Sequence, residues 1–401
     1  MKSSHLAALL LALLSCSGLC GCRSAPDYSR ALPPGWPALL PLEPGEPRPA
    51  FAEEWYARDE ILPALDRSIE WTRRTHARQF FPIEGVSHER ALRSLERFRE
   101  VLLASEGPAD FEQHLEREFT VYKSAGWDGR GGGVLFTGYF TPILEGSRTA
   151  DARHRWPLYA LPPDLVKGPQ GEILGRRLSD GTLEPYPTRR AIEAGSLLAG
   201  QDLELVWLAD PLDAFIAHVN GSAFVRLSDG SMLRLGYSGK NGQEYTSLGQ
   251  ELVKDGKLAK DALSLPAIRA WAAEHPEELD EYLQRNDSYV FFTPIEGNPR
   301  GSLNVEVAAG RSLATDKTIF PRGALTFVDT RLGPGSGQDA VYRRFLLDQD
   351  TGGAIRTAGR ADIYLGVGDE AGRLAGRTRS EGQLYYLFLS EQALAAARPR
   401  P

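Results

Sequence analysis

All three cysteines of the chain, Cys16, Cys20 and Cys22, fall within its first 22 residues. The remaining sequence therefore has no disulfide and no cysteine-ligated metal site available to it, and a chain of 401 residues must be held together by core burial. The same segment reads as a leader. Lys2 supplies positive charge, and Leu6 to Leu14 form an apolar run too short to span a bilayer. Leu19-Cys20-Gly21-Cys22 then has the form of a lipobox, with a small residue before a cysteine that is cleaved at and lipidated. A competing site, Leu13-Leu14-Ser15-Cys16, leaves a cramped apolar core, and an ordinary cleaved signal peptide is the plainer alternative. The expectation is a signal peptide over residues 1–21 and lipid on Cys22.

The formal net charge is −7, and removal of Lys2 with the leader makes it more negative. A nucleic-acid partner would need a basic surface, so that class is set aside. One or two acyl chains on a soluble body hold a protein on a membrane without crossing it. Residues 22–50 are proline-rich, with Pro33-Pro34, Pro37, Pro41, Pro44, Pro47 and Pro49, and read as a stiff extended tether. Helical periodicity begins near Glu53 and is clear from Ser87, an N-cap, through Leu92, Leu95, Phe98 and Leu102. Glycines from Gly129 to Gly133 break the chain, and Val134 to Thr141 reads as a strand ended by Pro142.

A second region, 143–287, holds a strand at Leu203 to Leu208 and a hairpin turning at Asp229-Gly230 between Phe224–Leu227 and Met232–Leu235. It closes with helices over Ala267–Glu274 and Pro276–Arg285. From Tyr289 short strands and glycine turns return up to about Leu389. The reading is mainly β with supporting α-helices, in two lobes. One is built from residues 51–142 and 288–395, and the other, 143–287, is inserted between them.

Several chemistries are absent from the sequence. There is no His-Glu-x-x-His, and the seven histidines are scattered. Gly333 to Gly337 place glycine where a nucleophilic serine would stand. Gly366-Val367-Gly368 resembles half a dinucleotide fingerprint, but no helix is expected to follow it in register. Carboxylate chemistry remains. Asp350 opens a glycine-broken turn and Asp362 follows twelve positions later, with apolar Ala354 and Ile355 between them, so the loop is expected to fold back and pack. Glycosidic cleavage needs an acid that protonates the leaving oxygen, and a partly desolvated aspartate has its pKa raised toward that task. Two turn aspartates capping backbone amides would show the same spacing.

Five stretches carry a resemblance. They are Phe136-Thr137-Gly138-Tyr139-Phe140-Thr141-Pro142; Arg190-Ala191-Ile192-Glu193-Ala194-Gly195; Val219-Asn220-Gly221-Ser222 with Tyr237-Ser238-Gly239-Lys240-Asn241-Gly242; Tyr289-Val290-Phe291-Phe292 leading to Arg311-Ser312-Leu313-Ala314-Thr315-Asp316; and Asp350 to Asp362. In this order the set resembles the family of membrane-bound lytic murein transglycosylase A. The resemblance implies a double-psi β-barrel with a second β-barrel inserted, and a glycan groove between the two. It implies cleavage of the MurNAc–GlcNAc β-1,4 bond of peptidoglycan without water, leaving 1,6-anhydroMurNAc, with no metal or organic cofactor.

Asp362 matches the aspartate that acts as acid and then base, and Asp350 matches its support. Asp316 completes the family's trio, with a structural role left open. Thr137, Tyr139, Thr141, Asn220, Gly221 and Ser222 match groove segments. Asn220 stands where the family usually has glutamine, Ala223 where it has glycine, and Phe320-Pro321-Arg322-Gly323-Ala324 where Ile-Pro-Leu-Gly-Thr is more common. Arg23 and Ser24 after Cys22, with no aspartate, resemble outer-membrane sorting. The expected partners are peptidoglycan strands and the membrane through the lipid anchor, with cell-wall synthesis or division proteins as candidates. A hydrolase using the same intermediate and a non-catalytic glycan-binding lipoprotein are the rival readings.

Overall fold

The structure, a computed structural model, describes residues 26–396 except 44, 170, 196, 261 and 334–339. The leader and Cys22 lie outside the described residues. No helix among those described is long and apolar enough to cross a membrane.

The first lobe is a ring of six strands in the order Arg379–Leu389, Leu325–Leu332, Ala340–Asp350, Ser312–Ala314, Arg360–Val367 and Val134–Thr141, closed by pairing of the last with the first. Most neighbours run antiparallel. The two parallel pairs are Ser312–Ala314 with Ala340–Asp350, and Arg360–Val367 with Val134–Thr141. Such pairs need crossovers, which bring distant segments side by side at one place in the barrel. This is the double-psi β-barrel expected from sequence. Its interior is filled by Phe136, Leu313, Phe320, Val328, Leu346, Ile363 and Tyr386.

Helices cover the barrel's outer face. His88–Ala104 starts where the Ser87 hydroxyl accepts the Arg90 N–H at 3.1 Å, as read from sequence. Leu95, Phe98 and Leu102, at three- and four-residue spacing, pack with Phe111 and Leu115 onto Phe327, Phe345 and Leu387. Burying each such side chain stabilises by about 1.5–3 kcal/mol. Arg311, 2% exposed, ties this layer to the barrel. It is paired with Glu54 and, at 2.9 Å, with Glu60.

The proline-rich stretch does more than tether. Leu39–Pro41 is a strand paired with Phe119–Ser124 at the edge of the first sheet, and Ala38 and Leu39 are buried. Proline does not prevent this, because an edge strand needs only one bonded side.

The chain passes straight through Pro142 into the second lobe. There the order is Val290–Pro294, Met232–Lys240, Ala223–Leu227, Ile143–Ser147, Glu204–Leu208 and Trp156–Tyr159, and an Ala160–Phe292 bridge brings the two ends together. The hairpin at Asp229-Gly230 is present, with Gly230 at φ +82°. Val290–Pro294 belongs to this sheet, so the inserted lobe runs past residue 287. Phe291 and Phe292 pack against residues of the second lobe, which local strand propensity does not reveal.

Contrary to expectation, a helix, Gly368–Arg377, does follow Gly366-Val367-Gly368. Gly372 packs on Phe140, where a Cβ would approach the ring to 2.8 Å. The glycine thus serves helix–strand packing.

Candidate active site

Register brings the two aspartates together. Asp362 is opposite Thr137 on one side and Ala314 on the other, and Ala314 is in turn opposite Asp350. Four strands thus place Thr137, Asp362, Ala314 and Asp350 in one row, and the residue between the two aspartates carries only a methyl group. Their backbones are two strand spacings, about 10 Å, apart. Ile355 is buried and anchors the connecting loop as expected, while Ala354 is exposed.

Asp362 is half-buried and held from one side. The Thr137 hydroxyl donates to its Oδ1 at 2.5 Å, and Arg360 Nη2 lies 3.3 Å from both that oxygen and the Thr137 hydroxyl. Oδ2 has no hydrogen-bond partner among the described residues. Asp350 is fully engaged. Tyr139 donates to Oδ2 at 2.8 Å, and the N–H groups of Ser302 and Thr351 donate to Oδ1 at 2.8 Å each. Burial pushes the Asp350 carboxyl up, against the pull of these three donors. The Tyr139 phenol is also pushed up, by burial first and then by Asp350. The upward shift expected of a site aspartate therefore appears at Asp350.

Behind Asp350 lies a network that sequence reading missed. Asp348 is wholly buried and paired with Lys317, and it accepts from Thr315 and Tyr386 at 2.8 Å each. Burial raises the carboxyl and lowers the ammonium, and their mutual attraction opposes both shifts. The one available signal was Asp348 directly after the apolar run Phe345-Leu346-Leu347 of its strand.

The other nominated residues separate. Asp316 Oδ1 accepts from the N–H and hydroxyl of Thr318 at 3.0 and 2.6 Å, so it caps its own turn. Thr141 and Ser222 are buried and bonded to one another at 3.1 Å, and Tyr364 reaches Thr141 at the same distance. They join the lobes rather than face outward. The Tyr139 ring is half-buried, with its centroid 5.1 Å from that of Tyr364. Asn220 Nδ2 donates to Ile216 O at 2.9 Å, closing its own helix. Gly221 follows at φ +67° as that helix's left-handed cap. Arg360 and Ser302 were not foreseen, because an arginine two residues before an aspartate and a loop N–H carry no pattern. A cavity of about 570 Å³ on the helical face, lined by Arg97 and Glu118 among others, lies apart from this row.

Two domain families match, the MltA specific insert domain over residues 135–293 and the 3D domain over residues 311–388. The chain is 34% identical to membrane-bound lytic murein transglycosylase A of Escherichia coli over 261 residues, 64% of this chain and 66% of that protein. It is 33% identical to the Vibrio cholerae protein of the same name over 270 residues, 66% and 68% of the two chains. The chain belongs to the membrane-bound lytic murein transglycosylase A family. The 3D match contains Asp316, Asp350 and Asp362, and the insert match ends beside Pro294, where the second sheet ends. A membrane-bound lytic murein transglycosylase from Agrobacterium tumefaciens has the same fold at 28% identity and TM-score 0.72, covering 90% of this chain and all of that one. An E. coli MltA structure with bound chitohexaose matches at 24% identity and TM-score 0.66, over 92% and 97%.

Proposed function

We propose that the protein is a lytic transglycosylase that cuts the MurNAc–GlcNAc β-1,4 bond of peptidoglycan, with Asp362 as general acid and then general base. The observation that carries this reading is the asymmetric seat of Asp362. One oxygen is fixed by Thr137 and Arg360, and the other has no hydrogen-bond partner among the described residues. An acid that must reach a glycosidic oxygen needs one anchored and one available oxygen.

Protonated Asp362 gives its proton to the bridging oxygen, the C1–O bond breaks toward the departing GlcNAc, and positive charge develops at C1 of MurNAc. The carboxylate then takes the proton of the same sugar's C6 hydroxyl as O6 closes on C1. Because the nucleophile is held within the substrate, no second carboxylate is needed to activate water. Asp350 suits a supporting role. Every hydrogen-bonding group that reaches it is a donor, which fixes both of its oxygens in the turn beside Asp362.

The bound chitohexaose of the E. coli relative supports glycan binding, and we place the glycan in a groove between the lobes. In this reading Thr137 and Tyr139 border the acid, Asn220 and Gly221 form the opposite edge with Ser222 buried behind it, and Asp316 shapes the loop before Phe320. The Asn220 amide is spent on Ile216, so a contact that the family's glutamine would make passes to water. The lipid anchor at Cys22 and the outer-membrane address belong to the same proposal.

The test is Asp362→Asn, near-isosteric and unable to donate, assayed on purified sacculi by mass analysis of the products. Wild type is expected to release anhydro-ended fragments, one water lighter than reducing ends. The variant should lose about 10²–10⁴-fold in rate while still binding glycan. Reducing ends from wild type would point to the hydrolase instead, and undiminished release by the variant would remove Asp362 from its role.

A further inference from the structure

We propose that a small cavity behind the Asp350 turn, walled by Trp71, Phe80, Asn304 and Arg322 with Arg74 and His76 at its rim, binds a carboxylate of the peptide stem carried by the glycan. This rests on the reading of the protein as a peptidoglycan-cleaving enzyme, whose substrate bears short peptides with free carboxylates.

The cavity holds about 210 Å³. That is below the range of pockets for drug-sized ligands and suits one acid-bearing residue. Its recognition element is Arg322, half-buried with its guanidinium 4.2 Å from the centroid of the Phe80 ring. Phe80 in turn stacks on Trp71. Arg322 Nη1 donates to the Lys317 carbonyl at 3.0 Å, a neutral acceptor. Among the described residues no carboxylate lies within ion-pair distance of Arg322; Asp348, paired with Lys317, and Asp316, which caps its own turn, attract it from farther off. Burial pulls the Arg322 pKa down, against the attraction of Asp348 and Asp316. At the rim, the Arg74 guanidinium pairs among the described residues with Glu70 alone, a largely solvated carboxylate 3.2 Å away.

A planar guanidinium with open donors beside an aromatic wall is suited to a carboxylate. Arg322 stands where leucine is the more common residue in the family pattern. The location matters too. Ser302, whose N–H holds Asp350 Oδ1, forms part of the cavity wall, so an occupant would rest against the turn that supports the site.

The experiment compares cleavage of glycan strands with intact peptide stems and of the same strands stripped of peptide, for wild type, Arg322→Leu and Arg322→Lys. On stem-bearing strands Arg322→Leu is expected to raise KM about tenfold with kcat held, as loss of a charged hydrogen bond predicts. On stripped strands it should match wild type. Because Arg322 also packs on Phe80, Arg322→Lys serves as the charge-preserving control. It is expected to fall between the two on stem-bearing strands, and to bind free stem tetrapeptide in calorimetry more weakly than wild type. Equal changes on both substrates, or none on either, would overturn the inference and leave the proposed reaction standing. Wild type that cleaves neither substrate would defeat the reaction itself.

Discussion

At the scale of single residues, the chemistry turns on how differently two aspartates are dressed. Asp350 receives three donors and its carboxyl is nevertheless driven upward by burial, while Asp362 keeps one oxygen without a partner among the described residues. A carboxyl whose native pKa lies above its ordinary 3.8 holds its proton more tightly folded than unfolded. Its contribution to stability is therefore present below about pH 4 and is lost as pH rises through the native value. Replacing Asp350 by asparagine removes that titration. Melting temperatures of wild type and Asp350→Asn, measured at steps from pH 4 to pH 7, should converge or cross in the variant's favour as pH rises. A gap that stays constant across the range would show that the Asp350 pKa is not raised in the fold.

Between elements, the decisive contact is a buried ion pair. Arg311, at the start of the Ser312–Ala314 strand, reaches Glu54 and Glu60 in the N-terminal helical layer and bonds to the Phe345 carbonyl at 3.0 Å. Glu54, nearly as buried, also accepts the Phe345 N–H at 2.8 Å. Removing one partner of such a pair leaves an uncompensated charge in the interior and costs about 3–5 kcal/mol. Arg311→Met is expected to lose stability of that order in urea titration, and Arg311→Met with Glu54→Gln to recover part of it. An additive double variant would mean the two groups do not interact. The periodic helix from Ser87 was legible because its apolar spacing and cap are local. The Arg311–Glu54 pair was not, since its members lie more than 250 positions apart.

For the molecule as a whole, the question is what holds two barrels in register around one site. The Tyr364–Thr141–Ser222 chain crosses the junction, and Gly353 of the aspartate loop packs against Tyr245 of the second lobe, where an added Cβ would lie 3.4 Å from the tyrosine. Thr141→Val, Ser222→Ala and their combination form a cycle whose coupling should be about 0.5–1.5 kcal/mol, the worth of one buried hydrogen bond. Denaturant midpoints read it out, and zero coupling would show that the lobes do not depend on this bond.

The sequence by itself carried the β-rich two-lobe plan, the capped helix, the hairpin and the nomination of Asp350 and Asp362, because each is written in local periodicity, turn residues or an ordered set of short motifs. Tertiary structure alone decided the rest. It assigned Val290–Pro294 to the inserted sheet, turned Thr141 and Ser222 inward, and set Ala314 between the aspartates through strand pairings far apart in the chain. It also supplied Arg360, Ser302 and the Lys317–Asp348 pair, and gave Arg322 a cavity to face. Register and burial are properties of pairs of distant segments, and no window on a single segment contains them.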